Sequence, residues 1–481
     1  FFQAEDGIRD GTVTGVQTCA LPISHIPLSL LPAPKRALVI GGAYSGIAPE
    51  MLRHPLERID FIQPDPGWLE LERRFGLDPA VLPRLRVFST EPRAWLQAHR
   101  REYDLIIINE PSPTSAAGER FFTREFFLVV AGALAPGGIA AWSCGPVPPN
   151  LVFSFGAASL THGMWRGRNV FQQGSFLPLS FILALCGDTT SPVTNDPTKI
   201  SAALAARGIS IDSLDPVRLS ADLRRDRVDS IYVRVRGSYA DNSAELRPGI
   251  FIYSLINYTE RVTSRYSASM SALRMLLGLH PRHLWPFALL PALALAWRLR
   301  FRSGRVTGAA MVMISGFASI VAEIALLVAF QIHSGALYFA LAGMTASFMA
   351  GLGMGATVRA KYQPGRMTII LPLACVLSDA GVALIAGLSF PSSSSFLVNV
   401  FLLVLLGAGT GAAFVAASDM ASGNNPAEAA GWTYGYELMG SAGGGLIAGI
   451  FLVPVFGIIG TLTAAAAAAA AAAVLAWPQR S

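Results

Sequence analysis

At 481 residues and a formal net charge of +6, the chain is long enough for two or three domains. It has no Lys/Arg block of the kind that grips nucleic acid, which excludes that class of partner. Its four cysteines, Cys19, Cys144, Cys186 and Cys375, are scattered, with neither metal-ligand spacing nor a disulfide framework, so no metal site is expected. Hydropathy is uneven. Up to about His280, charged and apolar residues mix as in a soluble protein; beyond it, long apolar runs dominate.

In chain order, Gln3 to Ile23, QAEDGIRDGTVTGVQTCALPI, reads like the in-frame translation of a sequencing adapter. It lacks a helical or strand period and a signal-peptide core, so residues 1–24 are set aside as an artefact that packs against nothing. Cys19 goes with it, and on this reading the gene begins upstream and the chain is a fragment. The organising stretch is Lys35 to Pro66. An apolar run, Ala37–Ile40, meets Gly41, Gly42 and Gly46; a helical pattern, Gly46–Arg53, follows; a second apolar run, Ile59–Ile62, ends in Gln63, Pro64 and Asp65. Strand, glycine turn, helix and strand with an acidic end form a nucleotide-binding opening, in which glycines let the backbone approach a ligand. GGAYSG matches neither of the standard phosphate-binding glycine patterns, so the turn alone is a weak signal.

The alternation continues. Strands are expected at Leu85–Ser89, Tyr103–Ile108, Ile139–Ser143 and Leu179–Cys186. Helices are expected at Gly67–Phe75, Pro92–Arg100, Thr123–Leu134, Leu151–Trp165 and Thr198–Ala206. This implies a parallel sheet covered on both faces over residues 25–190, with ligands at the carboxyl ends of its strands. Residues 191–280 read as a connector, with a solvated charge run at Arg224–Arg227.

Several segments, ordered and correctly spaced, resemble the spermidine/spermine synthases, the polyamine aminopropyltransferases. They are ALVIGG, EMLRHP, the turn Pro64-Asp65-Pro66, LPRLRVFSTEPRAWL, YDLIIINEPSP, ERFFTREFF, LAPGG and NSAELRPGIFIYSLI. The chain is most similar to the membrane-fused members. The resemblance implies an α/β methyltransferase-like (Rossmann-like) domain followed by an all-α multi-pass transmembrane domain. It also implies decarboxylated S-adenosylmethionine as donor and a polyamine as acceptor. Gly41, Gly42, Gly46, Gln63, Asp65 and Glu91 are then the donor-binding positions.

The departures fall on the chemistry. Tyr44 stands inside the glycine turn, where it is expected to crowd the donor. Gln63 replaces the family's ribose-gripping Glu, and Glu91 its Asp near the adenine. Asn109 and Ser112 occupy the positions of the family's two aspartates, which hold the amine and take its proton; neither can take a proton unaided. Glu110 is the nearest substitute, but continued strand alternation turns it away from the face of Asn109. The expectation is an aminopropyltransferase with reduced or lost activity. The alternative is a membrane transporter or sensor of polyamine-like cations whose soluble domain does no chemistry. A methyltransferase on the same sheet is a third reading, against which ERFFTREFF argues.

Residues 281–481 carry about seven apolar runs: Leu284–Trp297, Val306–Ile332, Leu337–Val358, Met367–Phe390, Phe396–Ser418, Trp432–Val453 and Phe456–Trp477. Arg298–Arg305, Arg359–Arg366 and Arg480 fall on alternate loops, which places them and the C-terminus on the cytoplasmic side of a cell membrane. The first run is short and contains Pro286 and Pro291. It either spans, putting the soluble domain outside, or is re-entrant. The carboxylates Glu323 and Glu437 within the runs suit a cationic solute or helix-to-helix hydrogen bonding. Oligomeric state is left open.

Overall fold

The computed structural model describes residues 15–110, 116–143, 169–176, 179–211, 214–226, 229, 279, 281–301, 303–334, 338–362, 392–421 and 426–476. The chain divides into two compact units, one built on a β-sheet and one on long apolar helices.

Among the described residues the sheet has seven strands: β1 (Arg36–Ile40), β2 (Arg58–Ile62), β3 (Leu85–Phe88), β4 (Tyr103–Ile108), β5 (Leu134–Ser143), β6 (Asn169–Phe176) and β7 (Leu179–Gly187), in the order β3-β2-β1-β4-β5-β7-β6. The first five are parallel, and β7 runs antiparallel to both β5 and β6. Helix α1 (Gly15–Leu30) precedes β1. Helices α2 (Tyr44–Met51), α3 (Pro66–Phe75), α4 (Pro92–Ala98) and α5 (Arg124–Ala133) connect the parallel strands. The parallel α/β sheet is therefore as the alternating pattern implied, and its methyltransferase-like, Rossmann-like form as the resemblance implied. Strand β5 begins at Leu134 rather than Ile139, and its register against β4 shifts where Gly137 takes a φ of 77°. Strand β6 was not legible: Asn169–Phe176 has no alternation to mark it. The expected helix Leu151–Trp165 lies outside the described residues.

Alternation along each strand feeds two cores. Leu38, Ile40, Ile106 and Trp142 face one side with Phe122, Phe126 and Val130. Ala37, Val39, Phe61 and Ile107 face the other, with Ile47 of α2, Leu69 of α3 and Ile23, Ile26 and Leu28 of α1. The expectation that Gln3–Ile23 packs against nothing therefore fails at its C-terminal end, because Ile23 is 2% exposed and belongs to the core.

A buried polar chain holds α1 in place. Arg207, just beyond α6 (Pro197–Ala206), donates to His54 Nδ1 at 2.8 Å. A guanidinium can only donate, so His54 carries its proton on Nε2, which reaches His25 Nδ1 at 2.9 Å. His25 Nε2 then donates to Glu50 at 3.0 Å. Burial lowers the pKa of His25 and takes that of His54 down to about 3, so both rings are neutral.

In the second unit, α7 (Pro216–Asp222) having closed the described part of the first, the helices are α8 (Leu290–Arg300), α9 (Gly304–Ser334), α10 (Tyr338–Lys361), α11 (Ser392–Ala421), α12 (Pro426–Ile447) and α13 (Val453–Ala476). Among the described residues, four apolar helical stretches are long enough to cross a membrane: Gly304–Ile332, Ala340–Lys361, Phe396–Ala421 and Ala427–Ala476. The last, at 50 residues, is far longer than one crossing needs, and it breaks at Gly457, whose φ of 70° and ψ of −174° are not helical. It therefore contains the sixth and seventh apolar runs. The first run supplies only the 11-residue α8 after a 3₁₀ stretch, Pro281–Leu289. Met367–Phe390 lies outside the described residues.

Glycines set the helix contacts. A methyl group on Gly351 or Gly355 of α10 would run into the backbone of Val404 or Ala408 of α11, and one on Gly440 or Gly444 of α12 into Met313 or Phe317 of α9. Residue numbers rise together across both pairs, so each pair is parallel. Gly304 and Gly308 meet Met420 and Ala417, so α9 and α11 are antiparallel. The start of α9 and the ends of α10 and α11 consequently share one end of the bundle. There Arg359 pairs with Asp419 at 3.0 Å and Arg305 with Glu428 at 3.6 Å.

Candidate active site

Strand order reverses between β1 and β4, and in such sheets the ligand crevice opens beyond the strand ends at that reversal. The residues leaving β1 and β4 are Gly41 and Gly42, and Asn109 and Glu110. Gly41 and Gly42 have φ of 76° and 72°, which only glycine adopts without strain. Gly41 N–H donates to Ile62 O at 2.8 Å and Asn109 N–H to Ile40 O at 2.8 Å, tying both turns to their neighbouring strands. A methyl group on Gly41 would overlap the Glu110 carboxyl, and one on Gly42 the Asn109 amide. Both side chains thus lie over the same glycine pair. Strand β4 ends at Ile108, so the alternation that would separate Asn109 from Glu110 no longer applies, and the expected divergence of Glu110 is corrected.

Burial pushes the Glu110 carboxyl up to about 7, with Arg120 pulling it down and Glu91 pushing it further up. Arg120 is buried and pairs with Glu91 at 3.0 Å. Glu91 sits at the start of α4, beyond the end of β3, with one carboxylate oxygen engaged by this cation. Gln63, buried at the end of β2, donates to Gly42 O at 3.4 Å and accepts from Asp65 N–H at 3.2 Å. Asp65 caps α3 by accepting from Gly67 N–H at 2.8 Å. Helix α2 starts at Tyr44, so Gly46 lies within its first turn rather than in the glycine turn.

Tyr44 does not crowd the crevice. It is fully buried in the core and packs edge-to-face on Phe61 with ring centroids 5.6 Å apart. Ser112 lies outside the described residues. Arg120 was missed by the sequence reading; the cue was a cation within ERFFTREFF, a block otherwise read for its aromatics. Glu323 is buried in α9, whereas Glu437 in α12 is only half-buried and accepts from Ser441 Oγ at 3.3 Å. No cluster of three or more metal-ligating side chains occurs among the described residues.

Residues 20–143 match the family profile described as the spermine/spermidine synthase domain. The chain is 34% identical over 146 residues to a spermidine synthase of Dictyostelium discoideum, covering 29% of this chain and 50% of that protein. It is also 34% identical over 139 residues to putrescine N-methyltransferase 2 of Nicotiana tabacum, covering 27% of this chain and 39% of that protein. It spans half or less of the length of these relatives. Among solved structures, the spermidine synthase of Thermotoga maritima aligns with a TM-score of 0.37 and 17% identity over 45% of this chain and 73% of that one. Residues 20–143 therefore carry a spermine/spermidine synthase domain.

Proposed function

We propose that the sheet unit transfers an aminopropyl group from decarboxylated S-adenosylmethionine to a polyamine, with Glu110 as the proton acceptor and a rate reduced by the loss of the aspartates at Asn109 and Ser112. The observation that carries this is the Glu110 carboxyl lying over Gly41 at the strand-order reversal. Along the strand ends, Glu91 beyond β3 takes the adenine, Gln63 and Asp65 beyond β2 the ribose, and the sulfonium tail reaches Gly41, Gly42, Asn109 and Glu110. The amine nitrogen forms a bond to the methylene carbon on the sulfonium, the C–S bond breaks to leave a neutral thioether, and the nitrogen's proton passes to Glu110. A free alkylamine, with a pKa of about 10.4, is almost wholly protonated at neutral pH, so an acceptor is required. A carboxyl that titrates near 7 supplies one, and is half ionised there.

The relatives include both spermidine synthases, at 34 to 38% identity, and putrescine N-methyltransferases, at 33 to 34%. The two donors differ by one carboxylate on the tail. Ionised Glu110 favours the tail that ends in an ammonium alone and repels the one that carries a carboxylate. Calorimetric titration of the full chain in detergent tests this. Decarboxylated S-adenosylmethionine should bind more tightly than S-adenosylmethionine, and Glu110→Gln should narrow the gap. Equal or tighter binding of S-adenosylmethionine by the unaltered chain would sink the assignment.

The helical unit anchors the protein in a cell membrane, with the Arg298–Arg305 end and the C-terminus on the cytoplasmic side; the shared end carrying Arg305 and Arg359 supports this. The second reading, a domain that binds without turnover, is favoured by Asn109 lying where the family has an acid. Donor binding without product would select it.

A further inference from the structure

Glu323 lies near the middle of the 29-residue apolar stretch Gly304–Ile332 and is 4% exposed. No hydrogen bond or ion pair reaches it among the described residues. Arg305 and Arg359 sit at the end of the bundle, away from Glu323, and pair with Glu428 and Asp419. An ionised carboxylate without a partner in an apolar interior is so costly that the group keeps its proton or takes a cation.

Its surroundings are suited to both states. Ser315, Ser319 and Glu323 follow one another at four-residue spacing and form one stripe on α9, each less than a tenth exposed. One turn before Glu323, the Ser319 hydroxyl meets that of Thr410 on α11, itself 3% exposed. Ser319 also donates to Ser315 O at 2.8 Å and Thr410 to Leu406 O at 3.0 Å. Two hydroxyl protons therefore serve three hydrogen bonds, so one bond must switch partner, and each oxygen keeps an unused lone pair. Glu437 offers no such setting, being half-buried and bonded to Ser441.

The geometry points to an exchange site in the membrane unit, at which Glu323 with the Ser319 and Thr410 hydroxyls binds either one proton or one primary ammonium group. A primary ammonium has three N–H donors, and the carboxylate and the two hydroxyl oxygens offer three acceptors. The exchange is balanced: the ammonium enters, the carboxylic acid ionises, and one proton leaves, so the site's net charge does not change. This makes the helical unit a proton–ammonium exchanger, and it stands whatever chemistry the sheet unit performs.

Infrared spectroscopy of the full chain in phosphatidylcholine–phosphatidylglycerol vesicles tests it. At neutral pH the spectrum should contain the carbonyl stretch of a buried protonated acid, absent in Glu323→Gln. Putrescine should diminish that band, and in vesicles holding a pH dye it should drive proton movement that Glu323→Gln abolishes. Gln mimics the protonated acid, so the fold should persist; should that variant misfold, Ser319→Ala with Thr410→Val gives a second route, weakening the response to putrescine by roughly tenfold or more. A band that persists in Glu323→Gln, or that putrescine leaves unchanged, would overturn the site. Displacement by sodium but not putrescine would overturn the ammonium assignment.

Discussion

Replacing Glu110 by Gln separates its electrostatics from its shape. The carboxyl has an ordinary value of 4.5 and a buried value of about 7. Between those values the unfolded chain has released its proton while the folded chain keeps it, so stability falls as pH rises through that window. At about 1.4 kcal/mol per pH unit the full gap is worth roughly 3 kcal/mol. The side chain retains some exposure, and the neighbouring Arg120 relieves part of the charge, so about 2 kcal/mol is the working figure. Glu110→Gln does not titrate and escapes this loss. Thermal unfolding of both proteins followed by intrinsic fluorescence, from below pH 4.5 to above pH 7, should show Glu110→Gln gaining on the unaltered chain by roughly 4 to 8 °C across the window. A difference that stays flat with pH would refute the claim that the Glu110 carboxyl is desolvated over Gly41, and the catalytic reading with it.

The histidine chain has the opposite sign. His25 and His54 are held neutral, so as pH falls from 6.5 toward 3 the unfolded chain takes up protons that the folded chain refuses, and α1 should loosen. Hydrogen exchange in residues 15–30, corrected for its intrinsic pH dependence, should quicken over that range, and a constant corrected rate would contradict the packing of His25 against His54. Gly355→Leu should separate α10 from α11, because even a methyl group there meets the Ala408 backbone; a thermal transition in detergent unchanged from the unaltered chain would show that the contact is dispensable. Cysteine placed at Ser303 should react with an impermeant reagent only after cells are opened, and efficient labelling of intact cells would invert the topology proposed from the arginines.

The parallel sheet was legible because its strands are short apolar runs bounded by turn residues, and a strand buried on both faces needs no further cue. The glycine turn and the acids at Asp65 and Glu91 were legible as types at the ends of those runs. What was not legible depends on where strands stop and which way side chains turn. Glu110 was assigned to the wrong face because β4 was carried two residues past Ile108. Tyr44 was placed in the crevice because α2 was started at Gly46; begun at Tyr44, the helix directs that ring at Phe61 instead. Helix α1 was not legible because its first ten residues, Gly15–Ser24, fall in the segment set aside as adapter sequence, and the contacts that hold it come from His54 and Arg207, distant in the chain.

In the proposed reaction this chain makes an aminopropylated amine and Glu110 takes the proton. The direct measurement is product analysis by mass spectrometry after incubating the full chain with putrescine and either decarboxylated S-adenosylmethionine or S-adenosylmethionine. Aminopropylated product should form from the first donor, at a rate that rises with pH through about 7 and falls by a factor of about 10² to 10⁴ in Glu110→Gln. Methylated putrescine from the second donor, or a turnover rate untouched by Glu110→Gln, would contradict the account.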